Sequence, residues 1–371
     1  MKICHMTSVH QSTDVRIFYK ECSSLVKFGH EVTLVACGNG REENGVHVIG
    51  VGPLPKSRIK RMFGFSKRVY KAALAVDADV YHLHDPELLP YVKKLKRKGK
   101  KVIFDSHENT LEQMYEKTWI PKIFRKFIGN QYKKYAIKAF RKADALISVT
   151  PYIVEMLSQI NEKTYLVTNY PIIRQDVQLS SSKLSNEEFV LCFTGGISSA
   201  WSHETIIDCI EQIPDCKYVM CGSADSDYLC KLQKMKGWSN VDYLGVVPKD
   251  KAFNVQNTSN VGMALLVPSF NTNGTKGTIG NTKIFEYMTA GIPLICTCFD
   301  LWKDIIDEYK CGICVNPDNK AEIIHAIDYL KSNADEAKRM GDNGFRAVKE
   351  RFNWYTQEYV LNKLYTDLEM K

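Results

Sequence analysis

Short apolar runs alternate with amphipathic helical patterns along residues 1–173. The first run, KICHMTS, precedes a helical pattern over 14–28 that ends at Gly29, and HEVTLVAC forms the next run. Four further runs follow a helical pattern or a loop: ADVYHLHD, KKVIFDSHE, ADALISVT and TYLVTN. Because short apolar runs that alternate with helices form βαβ units, this pattern predicts a mostly parallel sheet with helices on both faces.

The alternation stops over 174–188, where Ser, Asn and charged residues dominate, and this segment is predicted to be an interdomain linker. It then restarts with six more runs: FVLCFTG, CKYVMCG, VDYLG, VGMALLV, PLICT and GICVN. Helical patterns at about 334–350 and 354–369 close the chain. The fold class is therefore α/β, with two Rossmann-like, doubly wound domains at 1–173 and 189–345.

The stretch GTIGNTKIFEYMTAGIPLI (277–295) joins a polar loop to a short helical pattern over 282–290. On a helical wheel three apolar side chains share one face: Ile284, Phe285 and Met288. Lys283 and Glu286 share the other face. Two interpretations stay open for that pair: a solvated i,i+3 ion pair, or a ligand site at a helix N-terminus that attracts an anion.

Composition and charge restrict the class of protein. The chain has 371 residues, of which 44% are hydrophobic and 25% charged, as in ordinary globular proteins. The N-terminus carries no apolar signal region, and twelve cysteines without one indicate reduced thiols in a cytosolic protein. Residues 1–170 hold 29 Lys/Arg and 16 Asp/Glu, whereas the remainder holds 21 and 26, so the positive charge belongs to the first domain.

Two basic segments of that domain interleave cations with apolar residues. KSRIKRMFGFSKRVYK (56–71) has seven Lys/Arg and no acidic residue, and a second such segment spans 120–143. The pattern is typical of a face that binds an anionic membrane, here with Lys60, Arg61, Lys67 and Arg68, although a merely solvated helix face stays possible. No nucleic-acid-binding motif accompanies it, so we expect no nucleic-acid partner.

Polar residues follow several predicted strands, where doubly wound sheets bind ligands. His107 in DSHE suits a hydrogen bond to a sugar or phosphate, or acid–base chemistry. Asp85 lies in the loop HDPE, and the nearby His82 and His84 alternate on one strand face. No third ligand lies close to those two histidines in sequence, so we expect no metal there. Gly195 and Gly196 in TGGISS allow close approach to a phosphate or form a simple turn.

Taken together, these motifs resemble the retaining nucleotide-sugar glycosyltransferases of family 4, which have the GT-B fold of two facing Rossmann-like domains. The strongest match is NTKIFEYMTAGIPLI (281–295). Further matches occur in the family's order in both domains: DVRIFYKECSSLVKFGHEVTLV, VYHLHDPELLP, DSHE, NYP and NVDYLGVVP.

The resemblance implies site residues in the second domain. Glu286 would bind the ribose hydroxyls of the donor. Lys283 and the loop before it would lie near the diphosphate, including Gly280, Asn281 and Thr282. Backbone groups around Gly245 and Val247 would contact the base.

In the first domain, His107 matches the family's active-site histidine. Asp14 and Arg16 stand in place of the first glycine-rich loop, near acceptor or phosphate. The helices at 346–371 would cross back onto this domain.

The chain departs from the family pattern in three places. Thr278 stands where the first glutamate of an E-x7-E pair is expected. Gly196 and Trp201 stand at or near the places of an Arg and a Lys, and the first loop lacks Gly-Gly. The diphosphate would then be met by Lys276, Lys283, Arg16 and the helix N-terminus, without a metal.

We therefore expect a cytosolic glycosyltransferase, peripheral on the inner face of the cell membrane. It would move a sugar from a UDP or GDP donor, with retention, to a lipid-linked or glycan acceptor in capsular, O-antigen or exopolysaccharide biosynthesis, and need no cofactor. Two alternatives stay open: a GT-B sugar-nucleotide 2-epimerase and a non-catalytic protein that binds anionic surfaces.

Overall fold

The chain folds into two compact units. The computed structural model describes residues 1–109, 111–115, 120–173 and 188–370. The first unit comprises Met1–Asn169 with Trp354–Lys371, and the second comprises Tyr170–Asn353. The predicted linker at 174–188 lies, except for its last residue, outside the described residues.

The first domain contains an eight-stranded sheet with the order β3-β4-β2-β1-β5-β6-β7-β8. The strands are β1 (Lys2–Gln11), β2 (Glu31–Cys37), β3 (Arg41–Glu43), β4 (Val46–Gly50), β5 (Val80–Leu83), β6 (Lys101–Ser106), β7 (Ala145–Ser148) and β8 (Thr164–Leu166). Among the strands of the described residues, β3 alone runs antiparallel to its neighbour. The mostly parallel sheet is thus confirmed, and β1, β5 and β6 bring their carboxyl ends to one edge.

Helices cover both faces of this sheet. They are α1 (Ser23–Lys27), α2 (Ser66–Val76), α3 (Leu89–Lys96), α4 (Lys122–Phe140), α5 (Pro151–Ser158) and the C-terminal α13 (Trp354–Glu369). Two π-helical turns, Val15–Cys22 and Lys60–Phe65, run directly into α1 and α2. One core lies between the sheet and α2 to α5, and a second lies under α1 and α13.

The C-terminal helix α13 belongs to the first domain, as predicted. Its buried residues recur at helical spacing and include Trp354, Leu361 and Tyr365. The Trp354 indole N–H donates to the Ser24 hydroxyl at 2.9 Å, and the Tyr365 hydroxyl lies 2.8 Å from Nδ1 of His82 on β5. The last helix therefore anchors the strand end that carries the histidines.

The second domain contains a parallel six-stranded sheet with the order β11-β10-β9-β12-β13-β14. The strands are β9 (Phe189–Thr194), β10 (Cys216–Cys221), β11 (Val241–Tyr243), β12 (Val261–Ala264), β13 (Leu294–Thr297) and β14 (Gly312–Val315). The helices are α6 (His203–Ile210), α7 (Ser226–Gln233), α8 (Lys249–Thr258), α9 (Lys283–Thr289), α10 (Asp300–Tyr309), α11 (Lys320–Ser332) and α12 (Ala334–Glu350). All six predicted strands are present.

Residues 346–353 lie in the second domain, not with the returning terminal helix as predicted. They are the end of α12 and the turn after it, and α12 packs closely because of two glycines. A Cβ at Gly341 would lie 2.2 Å from the Gly291 carbonyl oxygen, and one at Gly344 would lie 3.1 Å from Met288 Cγ. The helical pattern therefore predicted α12 and α13 correctly. The predicted domain boundary, after residue 345, lies before the end of α12, whereas the second domain extends to Asn353.

No helix among the described residues is long and apolar enough to cross a membrane. Strands β3 and β4 were not predicted, because they are short and only half buried. All twelve cysteines are free thiols.

Candidate functional site

The carboxyl ends of β1, β5 and β6 form a pocket of about 470 Å³ in the first domain. Its lining includes His10, Arg61, His84, Asp85, Glu87 and His107. Three of these were predicted as site residues: His107 as catalytic, Asp85 on the acceptor or phosphate side, and Arg61 on the membrane face.

His107 is fixed in this pocket through one ring nitrogen. Its Nε2 lies 3.2 Å from Asp105 Oδ2 and 3.2 Å from His84 Nδ1. The side chain keeps 18% of its surface exposed, whereas Asp105 and His84 are buried. The other nitrogen, Nδ1, is therefore the one left for a ligand.

Asp105 is held as a carboxylate by a buried guanidinium. Arg16 donates to Asp105 Oδ2 from Nη2 at 2.9 Å and from Nε at 3.1 Å. Burial alone would raise the pKa of Asp105, but the charges of Arg16 and His107 hold it well below its usual value. Burial lowers the pKa of the adjacent His84 to about 4, so His84 is neutral at physiological pH.

Arg16 was predicted to lie near acceptor or phosphate, but its side chain is turned inward. It is buried, and besides Asp105 it lies 3.0 Å from Glu21 Oε1 and donates to the Val167 carbonyl at 2.9 Å. It is a structural cation of the first domain, because each of these groups would lose its partner if the guanidinium turned outward.

Asp14 and Asp85 have structural partners as well. Asp14 caps the first helical turn by accepting from the Ile17 N–H at 3.0 Å, and it lies 3.2 Å from His10. Asp85 is buried and accepts from the Thr7 hydroxyl at 2.8 Å and the Ser8 N–H at 2.5 Å. Asp85 therefore forms part of the pocket wall, and Asp14 lies behind it against the lining residue His10.

The predicted basic face is divided. Lys60, Lys67 and Arg68 are exposed, and the Arg68 guanidinium lies over the Phe65 ring at 5.0 Å. Arg61 instead forms an ion pair with Glu87 at 2.8 Å and lines the pocket. Arg61 therefore belongs to the pocket and not to the outer surface.

Four residues that lie against His84 or His107 were not predicted: His5, His10, Glu21 and Asp105. Strand register explains the position of His5, since His5 on β1 pairs directly with His82 on β5. A buried polar residue inside an apolar run was the available signal for His5 and Asp105. No third ligand lies near His82 and His84 in sequence, but the fold brings His5 and Glu21 beside them.

The second domain places its predicted residues around close-packed glycines. Gly195 follows β9 with φ +149°, and a Cβ there would lie 2.7 Å from Lys283 Cε. Gly222 follows β10, and a Cβ there would lie 1.7 Å from the Gly195 carbonyl oxygen. The Gly222 N–H in turn donates to the Gly245 carbonyl at 2.8 Å. The ends of β9, β10 and β11 thus meet backbone to backbone beside Lys283.

Lys283 and Glu286 lie on one face of α9, as the wheel predicted. Lys283 Nζ donates to Glu286 Oε2 at 2.6 Å, and Glu286 Oε1 accepts from the Thr282 hydroxyl at 2.6 Å. The Glu286 side chain is 32% exposed and that of Lys283 is 14% exposed. The opposite face, with Ile284, Phe285 and Met288, is buried. The pair is therefore reachable by a ligand yet already charge-compensated.

The loop before α9 is organised by its own polar groups. The Thr278 hydroxyl accepts from the Gly280 N–H at 3.1 Å, and Asn281 Oδ1 accepts from the Lys283 N–H at 3.1 Å. Lys276 is exposed and Val247 is half buried. Thr278 shapes the turn at the position where a glutamate was expected.

Of the two residues at the places of the family's Arg and Lys, Trp201 is buried. Its ring centroid lies 5.2 Å from that of Phe193. Trp201 therefore belongs to the core, while Gly196 has open space around its Cα.

Family comparisons match each domain separately. Residues 15–169 match the family described as Glycosyltransferase Family 4, and residues 175–347 match the family Glycosyl transferases group 1. No curated protein matches the chain in sequence.

Solved structures match the whole chain. Sucrose-phosphate synthase from Thermosynechococcus elongatus is 15% identical with a TM-score of 0.77, covering 100% of this chain and 99% of that one. Anabaena HepE in complex with UDP and glucose is 13% identical with a TM-score of 0.75, covering 99% and 100%. WaaG, a glycosyltransferase of lipopolysaccharide biosynthesis, is 12% identical with a TM-score of 0.71, covering 98% and 99%.

The close approach of Gly195 to Lys283 can be tested with neighbouring glycines. We expect Gly195→Ala to lower the free energy of unfolding by about 1–3 kcal/mol, because a Cβ strains the positive φ and displaces the Lys283 side chain. Gly196→Ala, where a Cβ meets nothing within 4 Å, is the matched control and should stay within about 0.5 kcal/mol of wild type. Urea denaturation measures both, and equal midpoints would contradict this packing.

Proposed function

Because the chain belongs to the glycosyltransferases and has the GT-B fold, we propose that it transfers a sugar from a nucleotide diphosphate sugar to an acceptor hydroxyl with retention of configuration. The observation that carries this proposal is the Lys283–Glu286 pair, which lies over Gly195 at the carboxyl end of the second sheet. The similar structure of Anabaena HepE contains UDP and UDP-glucose in its complexes, which supports a uridine donor for this chain.

Glu286 is the proposed ligand of the donor ribose. Thr282 and Lys283 orient its two oxygens, and a third of the side chain stays exposed. A carboxylate accepts hydrogen bonds from two vicinal hydroxyls, and such charged hydrogen bonds are the strong ones. Lys283 would exchange part of its contact with Glu286 for a donor phosphate.

The leaving diphosphate is proposed to be stabilised without a metal. Lys283 lies next to the glycine-lined strand ends, and Lys276 is exposed in the preceding loop. The bare backbone at Gly195 and Gly196 permits close approach of a phosphate. Cations and N–H groups that are already in place stabilise charge that develops on a leaving oxygen.

His107 is the proposed catalytic residue of the first domain. In a front-face reaction the bond from the anomeric carbon to the phosphate oxygen breaks, and a bond to the acceptor oxygen forms on the same face. The acceptor proton passes to the leaving phosphate. His107, fixed at Nε2 by Asp105 and His84, would use Nδ1 to hold a hydroxyl of the reacting sugar.

Exposed apolar side chains support a membrane-bound acceptor. Ile59 and Phe63 are 71% and 73% exposed near the start of α2, and Ile123 and Phe127 on α4 are 81% and 65% exposed. Lysines flank both segments, including Lys60 and Lys122. Apolar residues among cations suit peripheral binding to an anionic bilayer. We therefore propose a lipid-linked glycan acceptor at the inner face of the cell membrane, in surface polysaccharide assembly.

The donor role of Glu286 predicts weaker nucleotide binding in Glu286→Ala. Loss of two charged hydrogen bonds should raise the Kd of the nucleotide by about 10–100-fold, measured by calorimetry. Glu308→Ala, an exposed helix glutamate of the same domain, is the control and should bind like wild type. Unchanged affinity in Glu286→Ala would exclude the ribose role.

The role of His107 predicts a different defect. His107→Ala should lower turnover by roughly 100-fold, while the nucleotide Kd stays within about twofold of wild type because nucleotide binding is assigned to the other domain. His325→Ala, on the exposed face of α11, should behave like wild type. Wild-type turnover in His107→Ala would remove His107 from the reaction.

Membrane binding is predicted to depend on the exposed phenylalanines. The double variant Phe63→Asp/Phe127→Asp should weaken co-sedimentation with phosphatidylglycerol vesicles at least about tenfold. The reason is that each phenylalanine ring, once inserted into the bilayer, contributes about 1.5–3 kcal/mol to binding. Tyr359→Asp, at a residue that is 72% exposed on α13, is the matched control. Equal sedimentation of all three proteins would contradict a membrane face at these segments.

A further inference from the structure

Four metal-ligating side chains converge inside the first domain, away from the proposed donor site. They are His5 on β1, Glu21 in the first π-helical turn, and His82 and His84 on β5. All four side chains are fully buried. The parallel register places His5 directly opposite His82, and α1 begins two residues after Glu21.

One nitrogen of each histidine approaches the same carboxylate oxygen. Glu21 Oε2 lies 3.9 Å from His5 Nδ1, 4.0 Å from His82 Nε2 and 3.8 Å from His84 Nε2. His5 Nδ1 and His84 Nε2 are 2.9 Å apart. For bond lengths of about 2.0–2.1 Å, a tetrahedral zinc ion needs ligand atoms roughly 3.3 Å apart, and these distances bracket that value.

In the described part of the chain, three polar atoms at the centre of this cluster lack hydrogen bonds, whereas His5 Nδ1 and His84 Nε2 are hydrogen-bonded to each other. Among the described residues, neither oxygen of Glu21 has a hydrogen-bond partner, and His82 Nε2 has none either. Arg16 Nε lies 3.0 Å from Glu21 Oε1, but the same guanidinium also forms an ion pair with Asp105. Because a buried oxygen without a hydrogen-bond partner costs free energy, a cation beside Glu21 Oε2 would stabilise the cluster.

The outward nitrogen of each histidine is anchored. The Tyr365 hydroxyl lies 2.8 Å from His82 Nδ1 and 3.4 Å from His5 Nε2. His84 Nδ1 lies 3.2 Å from His107 Nε2 and 3.6 Å from Asp105 Oδ2. Histidines that bind a metal with one nitrogen are usually held through the other in this way.

We propose that His5, His82, His84 and Glu21 bind one Zn²⁺ ion as a closed structural site. Three imidazoles and one carboxylate suit zinc, and four protein ligands leave no open position for a substrate. The ion would join β1, β5 and the first helical turn. It would also place the proton of His84 on Nδ1, toward Asp105 and His107. This inference does not depend on the proposed transfer reaction, whose diphosphate site lies in the other domain.

The test uses the full-length protein, purified without a histidine tag and passed through gel filtration. Elemental analysis should find about one zinc per chain in wild type and in the control His325→Asn, but a loss of most zinc in His82→Asn and in Glu21→Gln. Removal of zinc with dipicolinate should lower the Tm of wild type, and added Zn²⁺ should restore it, since an ion that binds only the folded state stabilises it.

A spectroscopic measurement keeps the test valid if the variants do not fold. Wild type loaded with Co²⁺ should show the visible absorption of a tetrahedral Co²⁺ site. The proposal would be overturned if wild type held no zinc and neither Zn²⁺ nor Co²⁺ raised its Tm or gave this absorption. Folded His82→Asn and Glu21→Gln proteins that retained zinc would also overturn it.

Discussion

The first domain depends on one buried guanidinium. Arg16 lies between Asp105 on β6 and Glu21 in its own helical turn, and it also donates to the Val167 carbonyl. Removal of one partner from such a buried pair costs about 3–5 kcal/mol, because the other charge is left uncompensated. Asp105 in turn fixes His107. The buried ion pair of Arg16 with Asp105 therefore sets the position of His107 without any contact to a ligand.

In the second domain, close backbone contacts position the candidate site residue Lys283. Gly195, Gly222 and Gly245 let three strand ends meet beside Lys283. Lys283 Nζ and Glu286 Oε2 lie 2.6 Å apart and neutralise each other. Each charged group at this sheet edge therefore has a partner of opposite charge. The structure shows the i,i+3 ion pair, and the interpretation of this pair as a ligand site stays a prediction that rests on its position at the carboxyl edge of the sheet.

Much of the fold follows from periodicity. Apolar runs identified the strands of the second sheet, and helical spacing placed α12 and α13 at their observed bounds. Side-chain partners between distant strands could not be predicted in this way. The contact of His5 with His82 can be predicted only if β1 is known to lie next to β5. The ion pair of Arg16 with Asp105 can be predicted only if the position of β6 in the sheet is known. The family resemblance placed Arg16 near acceptor or phosphate, whereas its buried partners indicate a structural role.

Differential scanning fluorimetry with UDP-, GDP- and ADP-sugars tests most directly whether this chain uses a nucleotide-sugar donor. Binding to the folded state at 100 times the Kd adds about 2.7 kcal/mol of stability, enough to raise the Tm by several degrees. We expect one base series to raise the Tm of wild type and to have a much smaller effect on Glu286→Ala. If no nucleotide sugar raised the Tm of wild type, a glycosyl donor in the second domain would be contradicted.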